Sequence, residues 1–370
     1  MASAAAAASL SSGAPAAQAQ LPHVVIFPFM AKGHTIPLTH LAHLLRRRQL
    51  AIVTFFTTPG NAAFIRTALS GADGVAVVEL PFPDDHGATV PGLPRGAESA
   101  EALDSLSSFP AFVEAASLLL PRFEEALAAA HPPASAVVAD ALLHWAHAAA
   151  AARGVPTLAF FAANVLAHVV REACHRDNPA ATLAGGTGAA AYAVPEFPDV
   201  QLSLADIPLP FDDPDLTAMA SAGWTTSARA SRTVSGGEAW WCASGWTSGR
   251  WAVLWHGGVK GFLSHGGWNS VVESISAGVP LAVWPMSAEQ PLNAKMVADE
   301  LRVGIRVPAK DGVTGAAVLV KSEEIATVIK ELITGEKALG AKAREAMEEG
   351  GSSWRAVEEM IAGLGRHQPA

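Results

Sequence analysis

The run Ser264-His265-Gly266-Gly267-Trp268-Asn269-Ser270 is the part of this sequence best suited to hold an anion. A strand ending at Ser264-His265, a turn at the two glycines and a helix opening at Trp-Asn-Ser place backbone N–H groups, that of Gly267 among them, at a positive helix end. Short polar side chains sit beside them, and such an end binds phosphate. The plainer alternative makes Asn269 and Ser270 helix caps and Trp268 a core residue. His34 is the best candidate for a general base. It follows the first predicted strand and precedes a helix, which puts it at the C-terminal edge of a sheet, and a neutral imidazole there can take a proton from a hydroxyl. Asp140 ends another predicted strand of the same sheet, where a carboxylate can hold the imidazole tautomer and stabilise the imidazolium. The alternatives are a surface or capping role for His34 and an N-cap role for Asp140.

These residues need a frame, and the hydrophobic pattern supplies one. His23 to Phe27, Ala51 to Thr57, Val75 to Leu80, Ser135 to Ala139 and Thr157 to Phe161 read as short strands without polar alternation. Helical patterns lie between them: Leu38, Leu41, Leu44 and Leu45 repeat at helical spacing, with Pro37 expected in the first turn. A long helix is expected over Ala111 to Ala129, and others up to Ala152 and from Asn164 to His175. Such alternation argues an α/β fold with a parallel sheet covered on both faces. Gly185 to Ala222 is rich in Pro, Asp, Ala and Gly and reads as irregular. Regular structure returns near Val253, with strands at Gly261 to Ser264, Leu281 to Trp284 and Val303 to Val307, and helices from Trp268 to Ala277 and Pro291 to Leu301. Three helices close the chain: Ser322 to Leu332, Ala338 to Glu348 and Ser353 to Leu364. The second half is therefore short of strands for a free-standing parallel sheet.

Composition narrows the function classes. The 370 residues are 50% hydrophobic and only 16% charged, which excludes an intrinsically disordered chain. A net charge of −9 argues against a general affinity for nucleic acid or anionic lipid. Two cysteines exclude a disulfide-built scaffold or a cysteine-rich metal site. Residues 1 to 20, mostly Ala and Ser without Lys or Arg, read as a disordered tail rather than a targeting segment. The stretch Ala141 to Ala163, broken by His144, His147, Arg153 and Gly154-Val155-Pro156, cannot form a membrane-spanning helix.

The segment from His256 through Glu289-Gln290, with His265-Gly266-Gly267-Trp268-Asn269-Ser270 and Glu273 inside it, resembles the nucleotide-sugar signature of plant family-1 UDP-glycosyltransferases. Phe27 to Pro37 resembles the opening strand and catalytic loop of the same family. The resemblance covers residues 21 to 218 and 251 to 364. It implies the GT-B fold, two facing Rossmann-like domains: an acceptor-binding domain over 21–218, an irregular junction over 219–250, and a UDP-sugar-binding domain with closing helices over 251–370. It further implies His265 on the diphosphate, helped by Gly267, Asn269 and Ser270, Glu273 on the ribose hydroxyls, and Trp268, Glu289 and Gln290 on the donor sugar. A carboxylate beside an amide suits a ring of hydroxyls, since both accept and one donates. By the same resemblance, His34 and Asp140 are catalytic, transfer proceeds with inversion, and neither metal nor bound cofactor is needed, the UDP-sugar being a co-substrate. The helix end and His265 can stabilise the leaving diphosphate. Gln290 favours UDP-glucose over UDP-galactose as donor. The acceptor would be a small hydroxylated metabolite such as a flavonoid or phenolic, held by the loops Pro81 to Ser107 and Asn164 to Leu209. A cytoplasmic monomer is expected.

Departures from the family pattern are concentrated before the signature. Family members are longer by about a hundred residues, and the missing piece should hold the linker and the first strands and helices of the donor domain, so the C-terminal domain is expected to be incomplete. The tryptophan expected to stack on uracil falls at Thr247, with Trp246 one place out of register, and the following glutamine falls at Arg250. Gly266 stands where the family usually has cysteine. An incomplete or wrongly spliced gene model and a truncated, catalytically inactive relative both account for this. An unrelated dinucleotide oxidoreductase is disfavoured, because Phe29-Met30-Ala31-Lys32-Gly33-His34 lacks the Gly-x-Gly-x-x-Gly spacing.

Overall fold

In the computed structural model the described residues are 21–83, 90–91, 93–105, 108–184, 191–208, 211, 254–307, 320–334, 345–346 and 348–365. The expected tail over 1–20, the junction over 219–250 with Trp246, Thr247 and Arg250, and most of the helix expected over Ala338 to Glu348 lie outside them.

The first half alternates as its pattern requires: β1 (His23–Phe27), α1 (Lys32–Arg47), β2 (Ile52–Thr57), α2 (Pro59–Ala68) and β3 (Val75–Glu79). It continues with α3 (Phe109–Ala116), α4 (Leu120–Ala128), β4 (Ala136–Asp140), α5 (His144–Ala152), β5 (Thr157–Phe160), α6 (Val165–Asp177) and α7 (Pro179–Ala184). The five strands form one sheet in the order β3-β2-β1-β4-β5, and every pairing is parallel. The chain thus winds outward from β1 in one direction and then from β4 in the other. The crevice where the winding reverses opens at the C-terminal ends of these two strands.

All five residues of β1 are buried because both faces of the sheet are covered. Val25 and Phe27 point into one core with Phe56, Phe112, Phe123 and Trp145. Val24 and Ile26 point into the other with Leu38, Leu41, Leu45 and Phe55. Phe27 stacks on Phe123 at 5.8 Å between centroids and meets Trp145 edge-on at 5.9 Å, contacts that add about 0.5–1.5 kcal/mol each beyond burial. They anchor the strand from which the His34 segment springs.

Three local expectations need correction. α1 begins at Lys32, so Pro37 lies inside the helix rather than in its first turn. The long helix over Ala111 to Ala129 is two helices with a 3-10 turn at Ser117–Leu119 between them, because Pro121, in the first turn of α4, has no N–H to continue the ladder. The region expected to be irregular holds an antiparallel hairpin, β6 (Tyr192–Val194) and β7 (Phe197–Leu202). Pro195-Glu196 makes its turn, and Pro198 is tolerated because β7 has only one partner strand.

The second half contains β8 (Phe262–Ser264), α8 (Trp268–Ala277), β9 (Leu281–Val283), α9 (Gln290–Lys295), β10 (Gly304–Arg306), α10 (Ser322–Thr334) and α11 (Ser352–Gly365). α9 continues as a π-turn over Met296–Glu300. Among the described residues its sheet has three strands, ordered β10-β9-β8 and parallel. β8 has no second neighbour among them, and Leu263 at its centre is 42% exposed. Gly304 is required in β10: a Cβ there would lie 2.0 Å from the Leu281 carbonyl oxygen.

α11 leaves its own domain, as expected for Ser353 to Leu364. Val357, Met360 and Ile361 complete the core beneath α1 and β2. The Arg48 guanidinium lies 3.7 Å from the Trp354 ring centroid, donates to the Trp354 carbonyl at 3.2 Å and pairs with Glu358.

Candidate active site at the domain interface

His34 stands in the first turn of α1, directly after β1, and Asp140 is the last residue of β4. Because β1 and β4 are neighbours at the reversal of the sheet, the two side chains converge: His34 Nδ1 lies 2.7 Å from Asp140 Oδ2. The carboxylate's other oxygen accepts the Leu142 N–H at 3.0 Å. α5 starts later, at His144, so Asp140 closes a turn rather than capping that helix. Asp140 is 1% exposed and the His34 side chain 23%, which leaves the imidazole edge facing the cleft. Phe29 meets the ring edge-on at 5.6 Å and limits its rotation. Burial works against the charged ring, but the Asp140 carboxylate outweighs it, with smaller help from Glu289 and Glu101, and the His34 pKa is raised above its ordinary value. α1 has no side-chain cap of its own at Ala31. Glu101, in a 3-10 turn over Ala100–Ala102, accepts the Lys32 N–H at 2.7 Å instead.

The opposite wall is the start of α8. Its N-cap is Gly267, with no side chain closing the helix end, so the first-turn N–H groups keep the character of an anion site. His265 is exposed, and its ring covers Gly267 so closely that a Cβ on Gly267 would meet Nε2 at 2.6 Å. Asn269 and Glu273 are one turn apart on α8, on one face, and Ser270 is half-buried beside them. Trp268 packs against Val271, Leu281, Val283, Ala294 and Val297, so it is partly a core residue. Glu289 caps the start of α9 by position, without a side-chain cap bond. Its charge is felt at both His34 and Arg171 of α6 across the cleft. Gln290 is turned into its own loop: the N–H groups of Met286 and Ser287 donate to its Oε1 at 2.8 and 2.9 Å.

The two walls touch. Asn269 Nδ2 donates to the Gly33 carbonyl at 2.7 Å. That carbonyl is free because the residue four places on, Pro37, has no N–H to return. Pro37, expected only to start a helix, instead exposes an acceptor beside the base. Arg171 was not singled out in the sequence, since a lone arginine on a helix carries no signal. Its relevance comes only from α6 facing α9.

Comparisons with known proteins bear on the family and the fold. Residues 246–338 match the family model described as UDP-glucoronosyl and UDP-glucosyl transferase. The chain is 29% identical to UDP-glycosyltransferase 90A1 of Arabidopsis thaliana, over 92% of this chain and 96% of the relative. That alignment runs over 467 positions, more than the 370 residues present, so the relative carries sequence with no counterpart here. Anthocyanin 3'-O-beta-glucosyltransferase of Gentiana triflora is 26% identical over 92% of this chain and 98% of its own length. The structure of Phytolacca americana UGT2 complexed with UDP-2fluoro-glucose and pterostilbene superposes with a TM-score of 0.70 at 21% identity, covering 93% of this chain and all of the other. At that identity the likeness speaks for the fold, which is GT-B.

Proposed function

The chain belongs to the plant UDP-glycosyltransferase family, and on that premise we propose that it transfers glucose from UDP-glucose, with inversion, to a hydroxyl of a small phenolic or flavonoid-like metabolite. The observation that carries the reading is the 2.7 Å contact of His34 with Asp140, opposite an uncapped helix start. In this mechanism Asp140 accepts a hydrogen bond from Nδ1–H of His34, which keeps the proton on Nδ1 and leaves the Nε2 lone pair toward the cleft. Nε2 takes the acceptor's hydroxyl proton as its oxygen attacks the anomeric carbon. The bond from that carbon to the UDP oxygen breaks on the opposite face, which inverts the centre. The negative charge gathering on the diphosphate meets the N–H groups of α8 and His265, so stabilisation is already in place when the charge forms. Glu273 is assigned to the ribose, and Trp268 and Glu289 to the sugar.

Glucose is favoured over galactose by Gln290, and Gln290 acts here through the loop it closes. The names of the relatives support a hydroxylated aromatic acceptor: one acts on an anthocyanin, and one was captured with pterostilbene. A cytoplasmic monomer that needs no metal and no bound cofactor belongs to the same proposal. Among the described residues no helix is long and apolar enough to cross a membrane.

A second reading, a shortened relative that binds a donor weakly and does not turn over, is favoured by the second sheet, which has three strands among the described residues, with Leu263 exposed. Two measurements separate the readings: calorimetric titration with UDP, and release of UDP from UDP-glucose in the presence of a flavonol. Submillimolar UDP binding by a monodisperse sample, with acceptor-dependent UDP release, supports the enzyme. Absence of both supports the shortened relative.

A further inference from the structure

Two buried asparagines that the mechanism does not use join the domains. Asn164, 2% exposed, precedes α6, and its Oδ1 accepts the Ala167 N–H at 2.8 Å. Its Nδ2 donates to Asn293 Oδ1 at 2.6 Å, across the interface. Asn293, fully buried on α9, donates from Nδ2 to the Gly266 carbonyl at 2.8 Å, and the same nitrogen is 3.5 Å from Glu289 Oε1. The polarity of this chain of amides follows from one end. The cap at Ala167 needs an oxygen, so Asn164 must present nitrogen to Asn293. Asn293 must then present oxygen back and nitrogen to Gly266. Leu292 packs with Ala167 and Val170 around the pair and keeps water from replacing it.

The far end of the relay is the peptide between Gly266 and Gly267. A glycine on each side, with Gly266 at φ +79°, makes this peptide easy to turn over. In a trans peptide the carbonyl and the N–H point opposite ways. Pinning the Gly266 oxygen to Asn293 therefore aims the Gly267 N–H away from α9, toward the helix start where the phosphate is assigned.

We propose that Asn164 and Asn293 are positioning residues that couple docking of the two domains to the orientation of the Gly266-Gly267 peptide in the donor loop. The link to donor binding rests on the functional reading above; the link to the peptide does not.

The test uses Asn164→Asp in the full chain. An aspartate keeps the cap acceptor but removes the donor and faces Asn293 with a carboxylate, so Asn293 turns its NH2 toward it and releases Gly266. Hydrogen–deuterium exchange of the free protein should accelerate about tenfold over 264–272, the change expected for one buried hydrogen bond, while β1 stays unchanged. UDP should bind about tenfold more weakly, and in turnover the KM for UDP-sugar should rise while that for the acceptor does not. Unchanged exchange over 264–272 in the folded variant, or a wild-type loop already exchanging at the unprotected rate, overturns the proposal. If Asn164→Asp loses protection in β1 as well, Asn293→Asp is read on the same peptide by the same criterion. A wild-type protein that fails to bind UDP but shows the exchange effect would overturn the donor reading and leave the relay standing.

Discussion

Replacing Asp140 with Asn tests the proposed proton path with almost no change in volume. In the native site Oδ1 holds the Leu142 N–H at 3.0 Å and Oδ2 holds His34 Nδ1 at 2.7 Å. An asparagine has one oxygen, and the fixed backbone N–H of Leu142 claims it. The amide NH2 then faces His34, so Nδ1 must become the acceptor and the proton moves to Nε2. The lone pair that should take the acceptor's proton is gone. A positioned general base contributes about 10²–10⁴ in rate, so Asp140→Asn should lower kcat/KM by at least about 10²-fold, or about 3 kcal/mol. UDP affinity should be unchanged, because Asp140 does not face α8. The imidazole can also be read without turnover: 15N chemical shifts should report a switched tautomer and a pKa lower than in the native protein. A variant that retains the native tautomer and a rate within threefold of wild type would refute the assignment.

Three further outcomes follow from the packing. Gly304→Ala should destabilise the second domain by about 1–3 kcal/mol, since the new methyl meets a backbone carbonyl that cannot move aside; chemical denaturation followed by tryptophan fluorescence checks it. Arg48→Ala removes a guanidinium whose side chain is 6% exposed from Trp354 and Glu358, and should release α11, seen as faster proteolysis after residue 350 with β1 still protected. His147 is held neutral by burial, which lowers its pKa against the opposing influence of Asp140, and among the described residues its Nδ1 has no partner. The unfolded chain therefore binds the proton more readily, and stability should fall as pH drops through about 6.5. His34 has the opposite sign: its contribution is complete below that value and is lost as pH rises through its raised pKa. His147→Gln should flatten the acid limb of a urea-midpoint profile and leave the alkaline limb alone.

The inner strands β1, β2 and β4 were legible because both their faces are buried, and continuous runs such as Val24-Val25-Ile26-Phe27 announce that. The convergence of His34 and Asp140 was legible for a topological reason: both follow strands of one parallel sheet, and such ends share an edge. Other features depended on tertiary context. Pro121 reads equally well inside a long helix or at a break, and only packing on both sides makes it the start of α4. Pro195-Glu196 looked like loop composition because the hairpin it turns has few apolar residues and only one partner for each strand. Gln290 was assigned to a sugar by resemblance, whereas its backbone contacts depend on a left-handed Ala288 at φ +53°, which no composition reveals. The amide relay left no trace in the sequence, since Asn164 and Asn293 are 129 residues apart and each alone reads as a cap or a surface residue.

The return of α11 to the first domain has a mechanical consequence. Among the described residues, Arg306 of β10 is tied to Asp206 and to the Ala205 carbonyl, and α11 comes back at Trp354 and Glu358 against Arg48. A body held to another at two separated places keeps only one free rotation, about the line through both. Any opening of the cleft between His34 and the start of α8 that keeps both ties is a swing about that line, with twist and slide suppressed. Each closure then brings Asn269 back to the Gly33 carbonyl along the same arc, which makes the approach of donor wall to base a matter of one angle.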